Sequence, residues 1–322
     1  MSAPMKYWSI SSEILKTEAE KLWLSVEIVD KDKNLFYISG NNKKILFKST
    51  DFGWNSSLWH KIANDKQLTY KVLEWFWYPI AQTWYCSSHE LDQIDSIDIV
   101  FPVIIKPLLE WHGNGVKMNI KDINELHTKL KESFQIYDKM IIQKQITWSE
   151  YRFLVVKWEL ILVRERDPAH VYWDWTHTIK ELIDIENKIN PLRWDWYNLP
   201  LSYIKVDGEL IEFISKQSLH LNSVPTYNEK IYLRWNSNIW TWGISINRTF
   251  ICHESIKRLT CDVAEYLQLQ IAWIDIMTDD ITKPIEDTWW VILEVNATPG
   301  IWWDIELTWV NTWKLILEKL FS

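Results

Sequence analysis

Three oxygen-bearing side chains near the C-terminal end are spaced for metal chemistry. Asp275 sits in the apolar run Ile271–Ile276. Glu294 and Asn296 sit in Val291–Asn296, which continues through Ala297, Thr298 and Pro299 to Gly300. Both runs are short and rich in Ile and Val, which predicts strands. Residues two apart on a strand share a face, so Glu294 and Asn296 point the same way. Hard oxygens from two neighbouring strands suit Mg²⁺, which takes a few protein ligands and fills its shell with water and phosphate oxygens. The plainer reading of the same letters is a pair of core strands with polar ends.

Cations stand upstream. Lys106 closes the apolar run Val100–Pro107, and Leu108–Val116 follows with Gly113 and Gly115. A strand-end lysine can simply snorkel to water, and a Gly-x-Gly can be an ordinary turn. Together they also suit an anion-binding nest beside a charge. Arg152, Arg164 and Arg166 punctuate Tyr151–Arg166, which reads as two antiparallel strands joined at Lys157–Trp158. They are either strand-edge charges or a set that grips phosphate or carboxylate bidentately.

The elements that must position these groups follow from pattern. Residues 1–60 read as a small α/β segment, with a helix over Ser12–Leu24 and strands at Leu24–Val29 and Lys44–Phe47. Ser56–Tyr78 turns helical and contains Asp65 and Lys66, which alone would be a surface ion pair. Lys121–Tyr137 is an amphipathic helix with Ile123, Leu126 and Leu130 at helical spacing. Met140–Lys144 is a strand. A polar stretch over 168–221 carries a helix at Thr178–Lys188. Arg234, Asn236 and Asn238 lie on a loop, and helices are expected at Glu254–Leu267 and Asn311–Phe321.

The chain has 322 residues, 47% hydrophobic and 24% charged, which is ordinary for a globular protein. A net charge of −8 argues against a nucleic-acid surface as the main business. Cys86, Cys252 and Cys261 show no metal spacing, which fits a reduced cytoplasmic setting. No apolar run approaches a membrane span, and Met1–Ser12 does not read as a signal peptide.

In their order along the chain, these segments resemble the ATP-grasp ligases. The matching stretches are Asp65–Lys66, Val103–Pro107, His112–Val116, Tyr151–Val156, Asp167–Val171, Leu233–Asn238 and the two runs carrying Asp275 and Glu294. They are most similar to the ATP-grasp part of cyanophycin synthetases and of bifunctional glutathione synthetases. The resemblance implies an α+β fold of ATP-grasp type, two α+β lobes sandwiching ATP, behind the small N-terminal α/β segment. Residues 61–322 would form the ATP-grasp domain: a nucleotide lid lobe over about 100–150, and a metal-binding lobe over about 151–322 with its insert at 168–221.

The resemblance also implies ATP and one or two Mg²⁺, with Mn²⁺ as a substitute, the metal held by Asp275, Glu294 and Asn296. Lys66 and Lys106 would touch the phosphates, and His112, Gly113 and Gly115 would cover them. The strand with Gln143 and Lys144 would hold the nucleoside, with Arg152 facing it, and Arg234 would stabilise the transferred phosphoryl group. The family commonly has Glu where Gln143 stands; Gln can still accept from a ribose hydroxyl, without charge. The implied reaction joins a carboxylate to an amine on small amino-acid or peptide substrates through an acylphosphate, forming ADP. A γ-glutamyl or glutathione-synthetase-like ligase and a non-catalytic ATP-binding module are the alternatives. A homo-oligomer stays open.

Composition carries one anomaly: 24 Trp and only 7 Gly. Roughly 7% glycine, about 23 residues, is usual at this length. The Trp sit where backbone chemistry asks for Gly: Trp173 and Trp175, Trp194 and Trp196, Trp240 and Trp242, Trp302 and Trp303. We read most of them as UGA codons that encode Gly in the source but were translated as Trp. The alternative is a Trp-rich protein that stacks on sugars or bases.

Overall fold

The N-terminal segment folds as helix α1 (Ile10–Lys21), whose cap Ser9 accepts from the Ser12 amide, followed by the meander β1 (Ser25–Asp30), β2 (Leu35–Gly40) and β3 (Lys43–Lys48). The expected helix over Ser56–Tyr78 is two helices, α2 (Ser57–Asn64) and α3 (Lys66–Trp75). Asp65 breaks them: its carboxylate accepts from the Gln67 and Leu68 amides and caps α3. Asp65 is thus a cap, and Lys66 is turned elsewhere. The computed structural model describes residues 8–109, 115–194, 199–224, 230–298, 300–301 and 304–322.

Next comes a sheet of four strands: β4 (Thr83–Ser87), β5 (Val103–Pro107), β6 (Lys117–Ile120) and β7 (Lys139–Lys144), ordered β4-β7-β5-β6, with α4 (Ile123–Ser133) on one face. Val103, Ile105, Met140 and Ile142 pack with Leu126 and Leu130 of α4 in one core. The strand alternation then turns Ile104, Lys106 and Gln143 to the opposite face.

β8 (Ser149–Val156) and β9 (Glu159–Asp167) form the hairpin expected around Lys157–Trp158, whose φ of 49° and 59° are those of a two-residue I′ turn. The insert follows: β10 (His170–Tyr172), α5 (Ile179–Ile189), β11 (Arg193–Trp194), β12 (Leu201–Ser202), α6 (Gly208–Ser215) and β13 (Lys230–Tyr232), around its own core of Val171, Ile183, Leu210 and Ile231. Then come β14 (Ile244–Asn247), α7 (Glu254–Tyr266), β15 (Ile271–Thr278), β16 (Trp290–Asn296), α8 (Asp304–Thr308) and α9 (Thr312–Phe321).

The central sheet runs β14-β9-β8-β15-β16, antiparallel throughout. Its two faces are both buried at one end. Phe153, Val155, Ala272, Ile274 and Ile276 pack against α7 and α3. Leu154, Val156, Ile271 and Trp273 pack against β2, α1 and α9. The segment 1–60 therefore shares a core with the C-terminal helix; it is docked rather than separate. Among the described residues no helix is long and apolar enough to cross a membrane.

Six Trp hold left-handed backbone: Trp23, Trp77, Trp158, Trp175, Trp242 and Trp309, with φ between 59° and 72°. Trp23 follows α1 in a Schellman cap, its N–H bonding the Glu20 carbonyl and the Leu24 N–H the Ala19 carbonyl. Trp77 ends α3 the same way, through Glu74 and Leu73. These rings are 96% and 92% exposed, so they gain no burial for the strained backbone. Trp302, Trp303, Trp111 and Trp196 lie outside the described residues. Trp23→Gly and Trp77→Gly should each stabilise the fold by about 1 kcal/mol, the usual penalty of a side chain in this region. Thermal melts of the two variants check this; a lower melting temperature in both would contradict it.

Candidate functional site

The period-two alternation that fills the central sheet's cores also builds the site. At the far end of the sheet, the face that elsewhere carries Leu154 and Trp273 carries Glu150, Arg152, Asp275, Glu294 and Asn296. The register sets four of the charges in one cross-strand row: Arg164 opposite Arg152, Arg152 opposite Asp275, Asp275 opposite Glu294. This face and the Lys106 face of the four-stranded sheet bound a cavity of ≈ 1110 Å³.

Lys66, Lys106, Gln143, Lys144, Arg152, Arg234, Glu294 and Asn296 all line that cavity, and Asp275 does not. Lys66 sits 3.5 Å from Glu294. Lys106 donates to the Gln143 side-chain carbonyl at 3.0 Å. Burial pulls the Lys106 ammonium below its usual range, against the pull of Glu294 and Glu150. Gly115 has φ 70°, and a Cβ there would meet Tyr137 and Pro107 at 2.7 and 2.8 Å, so this position needs glycine. His112 and Gly113 lie outside the described residues.

Asp275 is 2% exposed and lies under Arg152, which grips it bidentately through Nε at 2.7 Å and Nη2 at 2.5 Å. Arg166 stands 3.6 Å away and bonds Glu150 at 2.5 Å. Burial opposes the Arg152 charge, but Asp275 outweighs it and holds the guanidinium above its ordinary value. Arg234 does not point alone into the cavity: it pairs with Asp207 and Glu209 at the start of α6 and stacks at 4.2 Å on the Trp242 ring.

Several site residues carried no signal in the sequence. Asp304 accepts from Arg164 at 2.6 Å and from Thr312 at 3.0 Å, while Arg164 stacks on Trp273 at 4.4 Å. Burial pushes the Asp304 carboxyl up, with Arg164 pulling it back. Tyr70 donates to the Leu293 carbonyl, and burial raises its phenol to about 12. His60 bonds Thr298 at 2.6 Å. Glu150 could have been found, because it is two residues from Arg152 on a strand and so shares its face.

The donor set fits an anionic, metal-chelated ligand. Basic side chains on the cavity wall number eight against four acidic ones, in a protein of net charge −8. The buried Nε atoms of Arg164 and Arg234, both cavity residues, have no hydrogen-bond partner. Glu294 and Asn296 offer hard oxygens, and Asp275 adjoins them but is bound by Arg152. No group of three His, Cys, Asp or Glu side chains among the described residues is placed to hold a metal; Asn296 adds an amide oxygen beside Glu294 on the same strand face.

Two lobes closing on such a cavity make the fold an ATP-grasp fold. No family model matches the chain. Over 97% of its length the chain superimposes on a bifunctional glutathione synthetase from Pasteurella multocida, with a TM-score of 0.73 and 24% identity, covering 44% of that chain. It is 37% identical over 246 residues, 74% of the chain, to a cyanophycin synthetase of Crocosphaera subtropica. It is 30% identical over 302 residues, 91% of the chain, to a bifunctional glutathione biosynthesis protein of Clostridium perfringens. The chain resembles the ATP-grasp part of both, and spans 28% and 38% of these two curated relatives' lengths.

Asp304→Asn would leave the Arg164 charge buried without a counter-ion. Breaking one side of a buried pair costs about 3–5 kcal/mol. The melting temperature should fall sharply, whereas Glu159→Gln, at an exposed pair with Lys319, should leave it within a degree or so.

Proposed function

We propose that this chain is an ATP- and Mg²⁺-dependent ligase that joins a carboxylate to an amine, with small amino acids or peptides as substrates and ADP as product. The observation that carries the reading is the placement of Lys106 and Lys144 of the four-stranded sheet and of Glu294 and Asn296 of the central sheet on the wall of a single cavity. The relatives named for cyanophycin and glutathione synthesis support the substrate class.

Lys66 and Lys106 bind and orient the phosphates, meeting charge already present and charge that develops on transfer. Glu294, Asn296 and Asp275 are the residues that would hold Mg²⁺, which would supply neutralisation of phosphate charge. For Asp275 to join, Arg152 has to turn from it to a phosphate, a bidentate acceptor of similar geometry. The substrate carboxylate attacks the γ-phosphorus and takes the phosphoryl group as ADP leaves. The amine then attacks the acylphosphate carbonyl, and inorganic phosphate departs. Arg234 is suited to the charge on the transferred group once Asp207 and Glu209 release it. The protein supplies position and charge, and the closed lobes exclude water.

An ADP-release screen against a panel of amino acids and dipeptides tests the reading; ATP binding with no ADP under any pair would point instead to a non-catalytic ATP-binding module. Glu294→Gln keeps the shape but removes an anionic ligand, and should lower turnover by about 10²–10³ with the fold intact. Lys106→Met should weaken ATP binding and slow turnover together. ADP release at the parent rate from Glu294→Gln would place the metal elsewhere.

A further inference from the structure

We propose that Tyr70 and Gln143 are positioning residues that fix Lys106, in the four-stranded sheet, against strand β16 of the central sheet. This rests on the nucleotide reading above, in which Lys106 meets phosphate. The links are explicit. Lys106 Nζ donates to Gln143 Oε1 at 3.0 Å. Gln143 Nε2 donates to Thr83 Oγ1 at 2.9 Å and to the Tyr70 hydroxyl at 3.3 Å. Tyr70 in turn donates to the Leu293 carbonyl at 2.5 Å, one residue before Glu294. A run of hydrogen bonds therefore crosses from β5 through β7 and α3 to the strand that carries the metal carboxylate.

Both relay side chains are buried, Gln143 at 1% and Tyr70 at 2% exposure. Both amide hydrogens of Gln143 are used, and the Tyr70 hydroxyl both accepts and donates. In such a buried chain, losing one link strands its neighbour without water to replace it, so each member restrains the next. A relay built only for packing would not need the hydroxyl, because Phe fills the same space.

Gln143 differs from an apolar side chain of the same length in offering one acceptor and two donors, and all three are used. The run also makes the separation between the phosphate lysine and Glu294 a property of side-chain bonds rather than of lobe closure alone.

A double-mutant cycle tests this, with Mg²⁺ and a non-hydrolysable ATP analogue titrated calorimetrically into the full chain. Tyr70→Phe should weaken binding about tenfold in the parent and add no further loss on top of Lys106→Met. Gln143→Met, of similar length and without the acceptor and donors, should also weaken binding about tenfold while its melting temperature stays near that of the parent. Equal losses from Tyr70→Phe in both backgrounds, or parent affinity in Gln143→Met, would overturn the relay. Absence of analogue binding by the parent chain would overturn the nucleotide reading, and the relay with it; binding with additive losses would overturn the relay alone.

Discussion

Buried guanidinium groups need counter-charges, and the arrangement of this cavity follows from how each finds one. Arg152 takes Asp275, Arg164 takes Asp304, Arg166 takes Glu150, and Arg234 takes Asp207 and Glu209. Desolvating an unpaired arginine is expensive, and a pair offsets that only with good geometry. The central sheet supplies the geometry. Its register fixes Arg164, Arg152, Asp275 and Glu294 in one row, with spacing set by strand separation rather than by flexible loops. The carboxylates come from different places: β8 and β15 in the sheet, α8 beyond it and α6 in the insert. The insert and the C-terminal segment are thereby tied to the site electrostatically. The guanidinium groups on the cavity wall are thereby desolvated and oriented before any ligand arrives.

The same alternation explains how the cavity can exist in so densely packed a sheet. One set of faces carries Tyr151, Phe153 and Val155 of β8 and Ala272, Ile274 and Ile276 of β15, and anchors α7 and α3. The other set is apolar only where β2, α1 and α9 cover it, and turns charged where they stop. Trp273 marks the boundary, packed in the core on one side and under the Arg164 guanidinium on the other. The N-terminal meander therefore contributes to the site without lining much of it. It closes the apolar half of a face whose polar half lines the cavity.

What could be read from the letters was whatever depends on short-range pattern. Glu294 and Asn296 share a face because they are two apart; Lys106 and Gln143 came only through the family resemblance, and the pattern alone reads Lys106 as a strand-end lysine. The hairpin at Lys157–Trp158 was legible from the apolar runs on either side. What could not be read depends on long-range pairing. Nothing near Tyr70 announces that its hydroxyl reaches a carbonyl of residue 293. Asp304 follows the strands in sequence but finds Arg164, 140 residues away, only through the fold. Asp65 shows a third kind of miss: its neighbour Lys66 suggested an ion pair, whereas the amides of a new helix were the closer partners.

The tryptophans are best judged by backbone, not by count. A helix that ends in a Schellman cap needs φ > 0 at one residue, and glycine adopts that without a Cβ clash. Gln268 shows that this fold tolerates another residue there, with φ 49° after α7. One such site is affordable. The six Trp with φ near 60–70° are a different matter, because four of them, Trp23, Trp77, Trp175 and Trp309, are at least 65% exposed. An indole in that position takes the backbone strain and leaves its apolar surface in water. Trp273 and Trp313 behave in the opposite way, with ordinary backbone and nearly complete burial. Selection for aromatic packing accounts for the second group and not for the first. Glycine at the first group would meet the backbone demand of the helix ends and turns without leaving an indole in water.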